Sequence, residues 1–523
     1  MLDVLDWVKK RIDDTATLQK GRPARTDVPS DLRGADALTT LADLTGRLKA
    51  AGGAGGDAKA RSAALASIQD TAAVPVGALL TQYLGLGSAT ATQAAREATW
   101  KSLVGFQLRL AQAMCMSAGA ELTAASAVRA LAACRVLAKL HLMHYASVPG
   151  RLWHVAYSLH TGAEKAGFAT TPVHAQSDPR TMTTAEQELL RLLMLHVSAP
   201  DMLAPAEIEC ADRAVERLGA EFTLRQPGVA DNPFCYEPAG EFGPRRAKGR
   251  QPAATTRHFG PGMGYESLER IAKQPSAANL EDFRPFGKDI APRVQLSTVQ
   301  HLLIFWRVDC PYAPPAHEPA SGTMHVVHGY DRIWQEISRA PGGKHELSLA
   351  ATSPSVAQPA ETWQLRGVGG GELAAEVPPE SRSWLKCGEV IGLSVHDGAE
   401  HWMGMVRRIH AQPDGRLQAD ISLMSRAPQA HTLRKVLGKG EDRVFTEASA
   451  KQFGVSLVRA LILADGAEPG RPANFMLPPG SWAEQCVFEL QSDAGSRHLR
   501  GLQLVRRWDD YARATFEWVE APG

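Results

Sequence analysis

Between Gly388 and Met424 the chain reads GEVIGLSVHDGAEHWMGMVRRIHAQPDGRLQADISLM. Leu417, Ala419, Ile421 and Leu423 fall on one side of an extended chain, and Gln418, Asp420 and Ser422 on the other. This is the alternation of a strand with one buried face. Pro413-Asp414-Gly415 supplies turn chemistry, because Asp tolerates left-handed dihedrals and Gly accepts them freely. Three successive strands joined in this way form a meander and predict a small antiparallel barrel in the C-terminal half. Further strands are expected at 455–463, 485–490, 499–505 and 514–519, with a short one over Met324–Val327.

Upstream the apolar period lengthens. Trp100, Leu103, Val104, Leu108 and Ala111 make one stripe; Val128, Leu131, Val136, Leu140 and Met143 a second; Leu152, Val155, Ala156, Leu159 and Ala163 a third. Stripes at this spacing predict amphipathic helices. Thr183-x-x-Glu186 reads as a capping box ahead of LLRLLMLHV. Pro205 suits the first turn of the next helix and Gly219 its end. Leu2, Leu5, Val8 and Ile12, mixed with charge, suggest an amphipathic helix and not a secretory signal. AGGAGGD (51–57) reads as a surface loop. The expected fold class is α+β: an all-helical N-terminal half, bundle-like or helical-repeat-like, then an antiparallel barrel region. The expected divisions are helical segments with flexible loops at 1–95, a helical bundle at 96–225, a Pro/Gly/Arg-rich linker with a short helix at 226–290, and the barrel region at 291–523. Residues 340–360 are expected to be a loop.

At about 150 residues per domain, 523 residues admit roughly three or four domains. Lys+Arg total 57 against 56 for Asp+Glu, which lacks the basic footprint of a general nucleic-acid binder. Seven cysteines include no CxxC pair, which argues against thiolate zinc and thioredoxin-like chemistry and fits reduced thiols in a cytoplasmic protein. No run reaches the ~20 apolar residues of a membrane span. No GxSxG, Walker A, HExxH or dinucleotide fingerprint is present, so no enzyme is expected and no catalytic residue is nominated. His141 with His144, His154 with His160 and Glu164, and His317 with His325 and His328 lack a full ligand set, so neither metal nor cofactor is expected. Trp306, Trp334, Trp363, Trp384 and Trp402 are read as anchors around the barrel.

The order of elements resembles the PilZ-like barrel of bacterial cyclic-di-GMP effectors: helices, a helix ending in Trp306, a short strand, a Trp-led strand, then the Gly388–Met424 meander. It is most similar to large proteobacterial proteins with a helical N-terminal region and a divergent PilZ barrel, over residues from about 290 to the end. The resemblance implies a cyclic dinucleotide held by RxxxR before the first strand and [D/N]xSxxG near the start of the barrel. The segment before Met324, PYAPPAHEPASG, has no arginine, and Arg366–Gly371 keeps only Gly371 of the second motif. Substitute contacts are sought in Arg407 and Arg408, expected on opposite faces of one strand; in Arg245 and Arg246, with Arg250; and in Arg366 with its Gly run as a nest of amides. Each has a plainer reading: a barrel-surface arginine, a solvated charge run, a hairpin tip. The expectation is a non-enzymatic cytoplasmic regulator that binds cyclic-di-GMP and signals through its helical half to an unidentified protein partner, with self-association open. The alternative is a ligand-free scaffold whose barrel has lost the nucleotide site.

Overall fold

The apolar stripes become helices because each finds others to cover it. The computed structural model describes residues 34–53, 57–86, 93–174, 182–226, 232–248, 253–275, 280–339, 360–395, 400–412, 414–436, 457–463, 472–482, 485–492, 495–507 and 511–520. Residues 2–12, most of 340–360 and Arg250 therefore lie outside the described residues. The chain divides into two units, Met1–Ala313 and Pro314–Gly523.

The first unit carries α1 (Gly34–Gly53), α2 (Ala58–Leu84), α3 (Gln93–Ala120), α4 (Ala124–Met143), α5 (Gly150–Lys165), α6 (Ala185–Val197), α7 (Pro205–Leu218), α8 (Gly264–Ala272) and α9 (Pro292–Phe305). Their apolar faces merge into one core that includes Phe106, Leu131, Trp153, Tyr157, Leu193 and Ile208. Trp306 is fully buried in this same core and donates from Nε1 to Ser198 Oγ at 2.9 Å. It anchors helices, not the barrel as expected. The cap of α6 is Thr184, whose hydroxyl accepts from the Gln187 N–H, one residue later than the expected box; the Thr183 hydroxyl instead donates to Glu188. Gly219 follows α7 with a right-handed φ of −58°. It is needed for close approach, since a Cβ there would stand 2.6 Å from Arg191 Nε. α2 is, by length and composition, apolar enough to cross a membrane, which differs from the expectation that no run would be. Leu65, Ile68, Ala72 and Leu79 of this helix are buried in the unit's core.

A pair of two-residue strands, β1 (Val173–His174) and β2 (Met182–Thr183), precedes α6. Residues 226–290, expected to be a linker, contribute to a four-stranded antiparallel sheet of β3 (Thr223–Arg225), β4 (Phe234–Tyr236), β5 (Arg245–Arg246) and β6 (Arg257–Gly260), in the order β3-β6-β4-β5. Phe234, Tyr236 and Phe259 join the helical core. Strands of two to four residues are too short to show an alternation, so Pro and Gly dominate the sequence signal.

Burial leaves several histidines of this unit harder to protonate. His160, His196 and His301 are all held below the ordinary value, chiefly by desolvation, His196 at about 4. The unfolded chain takes up these protons near pH 6.5 and the folded chain only at lower pH. This contribution to stability is therefore complete above about pH 6.5 and is lost as pH falls towards 4. The thermal midpoint of the helical unit is expected to drop between pH 7 and pH 5, and His196→Gln to make that drop shallower. A scanning-calorimetry pH series in which the two proteins fall in parallel would contradict this.

The second unit holds two closed antiparallel barrels, where the sequence suggested one. The first comprises β7 (Glu318–His328), β8 (Glu361–Gly369), β9 (Glu372–Val377), β10 (Val390–Val395), β11 (Glu400–Ala411) and β12 (Leu417–Ser425). The second comprises β13 (Gln429–Val436), β14 (Leu457–Leu463), β15 (Ala473–Leu477), β16 (Val487–Ser492), β17 (Gly495–Arg507) and β18 (Ala512–Val519). In both, the first strand pairs with the second and fourth, the third with the sixth, and the fifth lies between the fourth and sixth.

The correspondence extends to register. Leu417↔Val377 and Ala419↔Ala375 in the first barrel match Ala512↔Leu477 and Ala514↔Phe475 in the second. Pro378-Pro379, a short 3-10 turn and Trp384 lead to the fourth strand of one; Pro478-Pro479, a similar turn and Trp482 lead to that of the other. Gly388 and Gln485 both take left-handed dihedrals, φ 83° and 59°. Their N–H groups donate to Val406 O at 2.8 Å and Gly501 O at 3.2 Å. The C-terminal unit is one barrel design used twice.

The barrels meet along a seam. Val406 and Ile409 of β11 are fully buried with the other inward positions of the first barrel. Met403 and Met405, on the opposite face, pack with Leu461, Leu463, Met476 and Tyr511 of the second. α10 (Tyr330–Arg339) joins them through Tyr330, Ile333 and Ile337. The Tyr330 hydroxyl lies 2.7 Å from the Met476 carbonyl oxygen, Trp334 Nε1 donates to His431 O at 3.1 Å, and the Tyr511 hydroxyl donates to Gly388 O at 3.3 Å.

Candidate functional site

A bulge in β11 shapes the seam. Val406 pairs with Ile421 and Arg408 with Asp420, which leaves Arg407 as an extra residue without a partner position. Strict alternation would send Arg408 inward beside Val406. The inserted residue changes the phase, so Ile409 is the next buried position, Arg407 is exposed and Arg408 is half-buried. Both arginines thus stay out of the barrel interior, and the expectation of opposite faces is corrected.

Arg407 shares the outer face with Met405, and its Nη1 lies 3.8 Å from the Met405 sulfur, a weak acceptor. Across the seam, Arg513 of β18 stands opposite Met476 and two residues from Tyr511, both seam residues. Its Nε is buried without a hydrogen-bond partner. Met405, Arg407, Ser422, Leu423, Met424 and Arg513 line a cavity of about 250 Å³. Two arginines line it, and among the described residues no carboxylate does. Such a place suits an oxyanion, because the planar fork of arginine matches phosphate geometry. The volume lies below the usual range of about 300–1,000 Å³ for small-molecule pockets. It suits part of a nucleotide, not a whole cyclic dinucleotide.

The other nominated residues lie elsewhere. Arg245 is exposed on β5 of the helical unit. Arg246 donates to Phe305 O at 2.5 Å and Arg307 O at 2.8 Å, with its guanidinium 5.0 Å from the Phe234 ring centroid. It therefore caps the C-terminal end of α9. Arg366 donates through Nε and Nη2 to Glu376 Oε2 at 3.1 and 2.6 Å, and Arg416 reaches the same carboxylate at 2.7 Å. These two arginines hold the Glu376 carboxyl below its ordinary value.

Gly370 and Gly371, at φ 57° and 82°, form the two-residue turn between β8 and β9, and Gly371 O accepts from the Leu423 N–H at 2.9 Å. A left-handed pair is what such a hairpin requires. Gly371→Ala is expected to cost about 1 kcal/mol through strain alone, since nothing lies within 4 Å of a Cβ there. Denaturant melts of the variant check the cost, and a loss near zero would mean the turn is not held in this form.

The tryptophans of the first barrel are anchors. His328 stacks on Trp384 at 4.0 Å, and Glu361 accepts from Trp363 Nε1 at 3.3 Å and Trp384 Nε1 at 2.8 Å. His160 Nδ1 lies 3.8 Å from a Glu164 oxygen that Arg257 also reaches at 3.1 Å. Among the described residues no group of three or more side chains is placed to hold a metal.

Arg513 escaped notice in the sequence because Tyr511 and Arg513 alternate with inward Ala512, Ala514 and Phe516, a pattern that reads as a solvated outer face. The sequence also carries a second partial match to the barrel motif. The connection between the second and third strands of the second barrel contains Asp465-Gly-Ala-Glu-Pro-Gly470, which keeps the acid and the glycine of [D/N]xSxxG; it lies outside the described residues.

Residues 26–228 match the family model described as cyclic-di-GMP receptor FimW, N-terminal domain. No curated protein and no solved structure matches the chain. The matched region ends just beyond β3, so it covers most of the helical half. The match and the two six-stranded barrels together bear out the resemblance to PilZ-like cyclic-di-GMP effectors with a helical N-terminal region. The family is one of receptors, which supports a regulatory role for the chain.

Proposed function

We propose that the chain binds cyclic-di-GMP through its barrel unit, catalyses no reaction, and passes the bound state through its helical unit to a protein partner in the cytoplasm. The observation that carries this reading is the match of residues 26–228 to a cyclic-di-GMP receptor domain, on a chain that also bears two barrels. The physical logic is a population shift: the ligand favours whichever arrangement it binds more tightly, and only by that difference. Titration calorimetry of the full chain with cyclic-di-GMP tests it. A dissociation constant near micromolar, about −8 kcal/mol, supports the reading; no heat up to millimolar ligand overturns it.

A second reading has its own observation. Arg246 and Arg366, two of the arginines able to replace the missing motif, are engaged by backbone carbonyls and by Glu376. This favours a scaffold whose barrels pack without a nucleotide. The same titration separates the two.

A further inference from the structure

We propose that the seam between the barrels is an oxyanion site, in which Arg407 of the first barrel and Arg513 of the second grip one phosphate group and so clamp the barrels together. The proposal deepens the reading above by naming the place of binding, and its ligand chemistry is a phosphate ester or free phosphate.

Three observations converge. The first is the buried Arg513 Nε–H, which faces no acceptor. A donor kept dry and unpaired is destabilising, and an incoming phosphate oxygen removes that defect. The second is the contrast with other barrel arginines. Arg366 and Arg416 share Glu376, Arg434 pairs with Glu489, Arg459 with Asp331 and Arg500 with Glu517. Among the described residues, no acid lines the cavity holding Arg407 and Arg513.

The third comes from the duplication. The bulge residue of β17 that corresponds to Arg407 is Leu502, skipped between Gly501↔Phe516 and Gln503↔Thr515. The residue of β12 that corresponds to Arg513 is Gln418, opposite Glu376 as Arg513 is opposite Met476. Neither arginine belongs to the design the barrels share. Each occurs on the copy and the face that meet at the seam. Ser422 adds a polar residue to the lining, and Met405, Leu423 and Met424 give apolar surface for a sugar or base edge.

The test uses the full chain, titrated separately with cyclic-di-GMP and with sodium pyrophosphate. It compares the parent with Arg407→Gln, Arg513→Gln and, as a control on the exposed ion pair, Arg366→Gln. Gln at 513 is the residue type the first barrel carries at the corresponding position, and an unchanged melting curve verifies folding. Each seam variant is expected to weaken binding at least tenfold, and Arg366→Gln to leave it within twofold. If cyclic-di-GMP binds the parent and both seam variants equally, the seam proposal falls while the receptor reading stands. If only pyrophosphate binds, and Arg513→Gln abolishes it, the seam stands and the receptor reading falls. If neither probe binds the parent at millimolar concentration, both are overturned.

Discussion

Asp212→Ala is expected to lower the unfolding free energy of the helical unit by about 3–5 kcal/mol, the usual cost of stranding buried charge by removing one partner. Asp212 sits on α7 and accepts from Arg135 Nη1 and, at 2.7 Å, from Lys139 Nζ, both on α4. Lys139 also donates to Glu209 at 2.9 Å, Arg135 lies 3.6 Å from Glu188 of α6, and Glu188 accepts from Arg191 at 2.5 Å. All six side chains are buried. Burial alone would raise the Asp212 carboxyl, but Arg135 and Lys139 more than offset it and hold it at about 2. Burial likewise disfavours the two cations, yet Asp212, with Glu188 for Arg135 and Glu209 for Lys139, raises both above their ordinary values. Removing Asp212 takes away the largest of these opposing charges and leaves burial acting on both cations. Replacing Asp212 and Lys139 together by Leu and Met should cost much less, because no unpaired charge remains. Urea melts of single and double variants check both statements; equal costs would mean that the pairing contributes little. The depressed carboxyl pKa places this contribution above about pH 3.8, with loss as pH falls towards 2.

What could be read in the sequence follows from range. The α4 and α5 stripes were visible because a helix face repeats within one or two turns. The Gly388–Met424 meander was visible because its turn and alternation are adjacent. The ion network was not. Arg135 and Lys139 stand four apart on α4, a spacing that reads as a solvated face until α6 and α7 are known to cover it. The second barrel was not recognised as a copy, because corresponding inward positions keep only an apolar character: Ile421 becomes Phe516, Leu417 becomes Ala512, Ala375 becomes Phe475. Of the site, the sequence singles out Arg407 only as one of two adjacent arginines. The bulge that turns it to the seam depends on pairing with β12, and Arg513 gains meaning only from a neighbour about a hundred residues away.

The same duplication yields the second large effect. Leu461→Gln is expected to destabilise the barrel unit by about 3–5 kcal/mol, from the lost burial of a leucine and an amide left without partners. Leu461 is fully buried in the seam opposite Met476. The corresponding pair in the first barrel is Gln364 opposite Glu376, with Gln364 exposed and Glu376 bridging Arg366 and Arg416. The face that is apolar in one copy is polar in the other. A complementary difference occurs on the fifth and sixth strands, where Met405 opposite Ser422 in the seam corresponds to Arg500 opposite Glu517, an exposed ion pair. The contact is therefore head to tail, the kind that continues into open assemblies when its free ends are also sticky. Both unused faces carry ion pairs, which disfavour the addition of a further barrel. Gln364→Leu, the reverse exchange on the exposed face, should change stability by no more than about 0.5 kcal/mol. Leu461→Gln should also abolish oxyanion binding, since the seam that brings Arg407 and Arg513 to one cavity is disrupted. Thermal melts of the two variants, followed by the pyrophosphate titration, decide the matter: comparable losses from both would mean that the seam is not what separates the two faces.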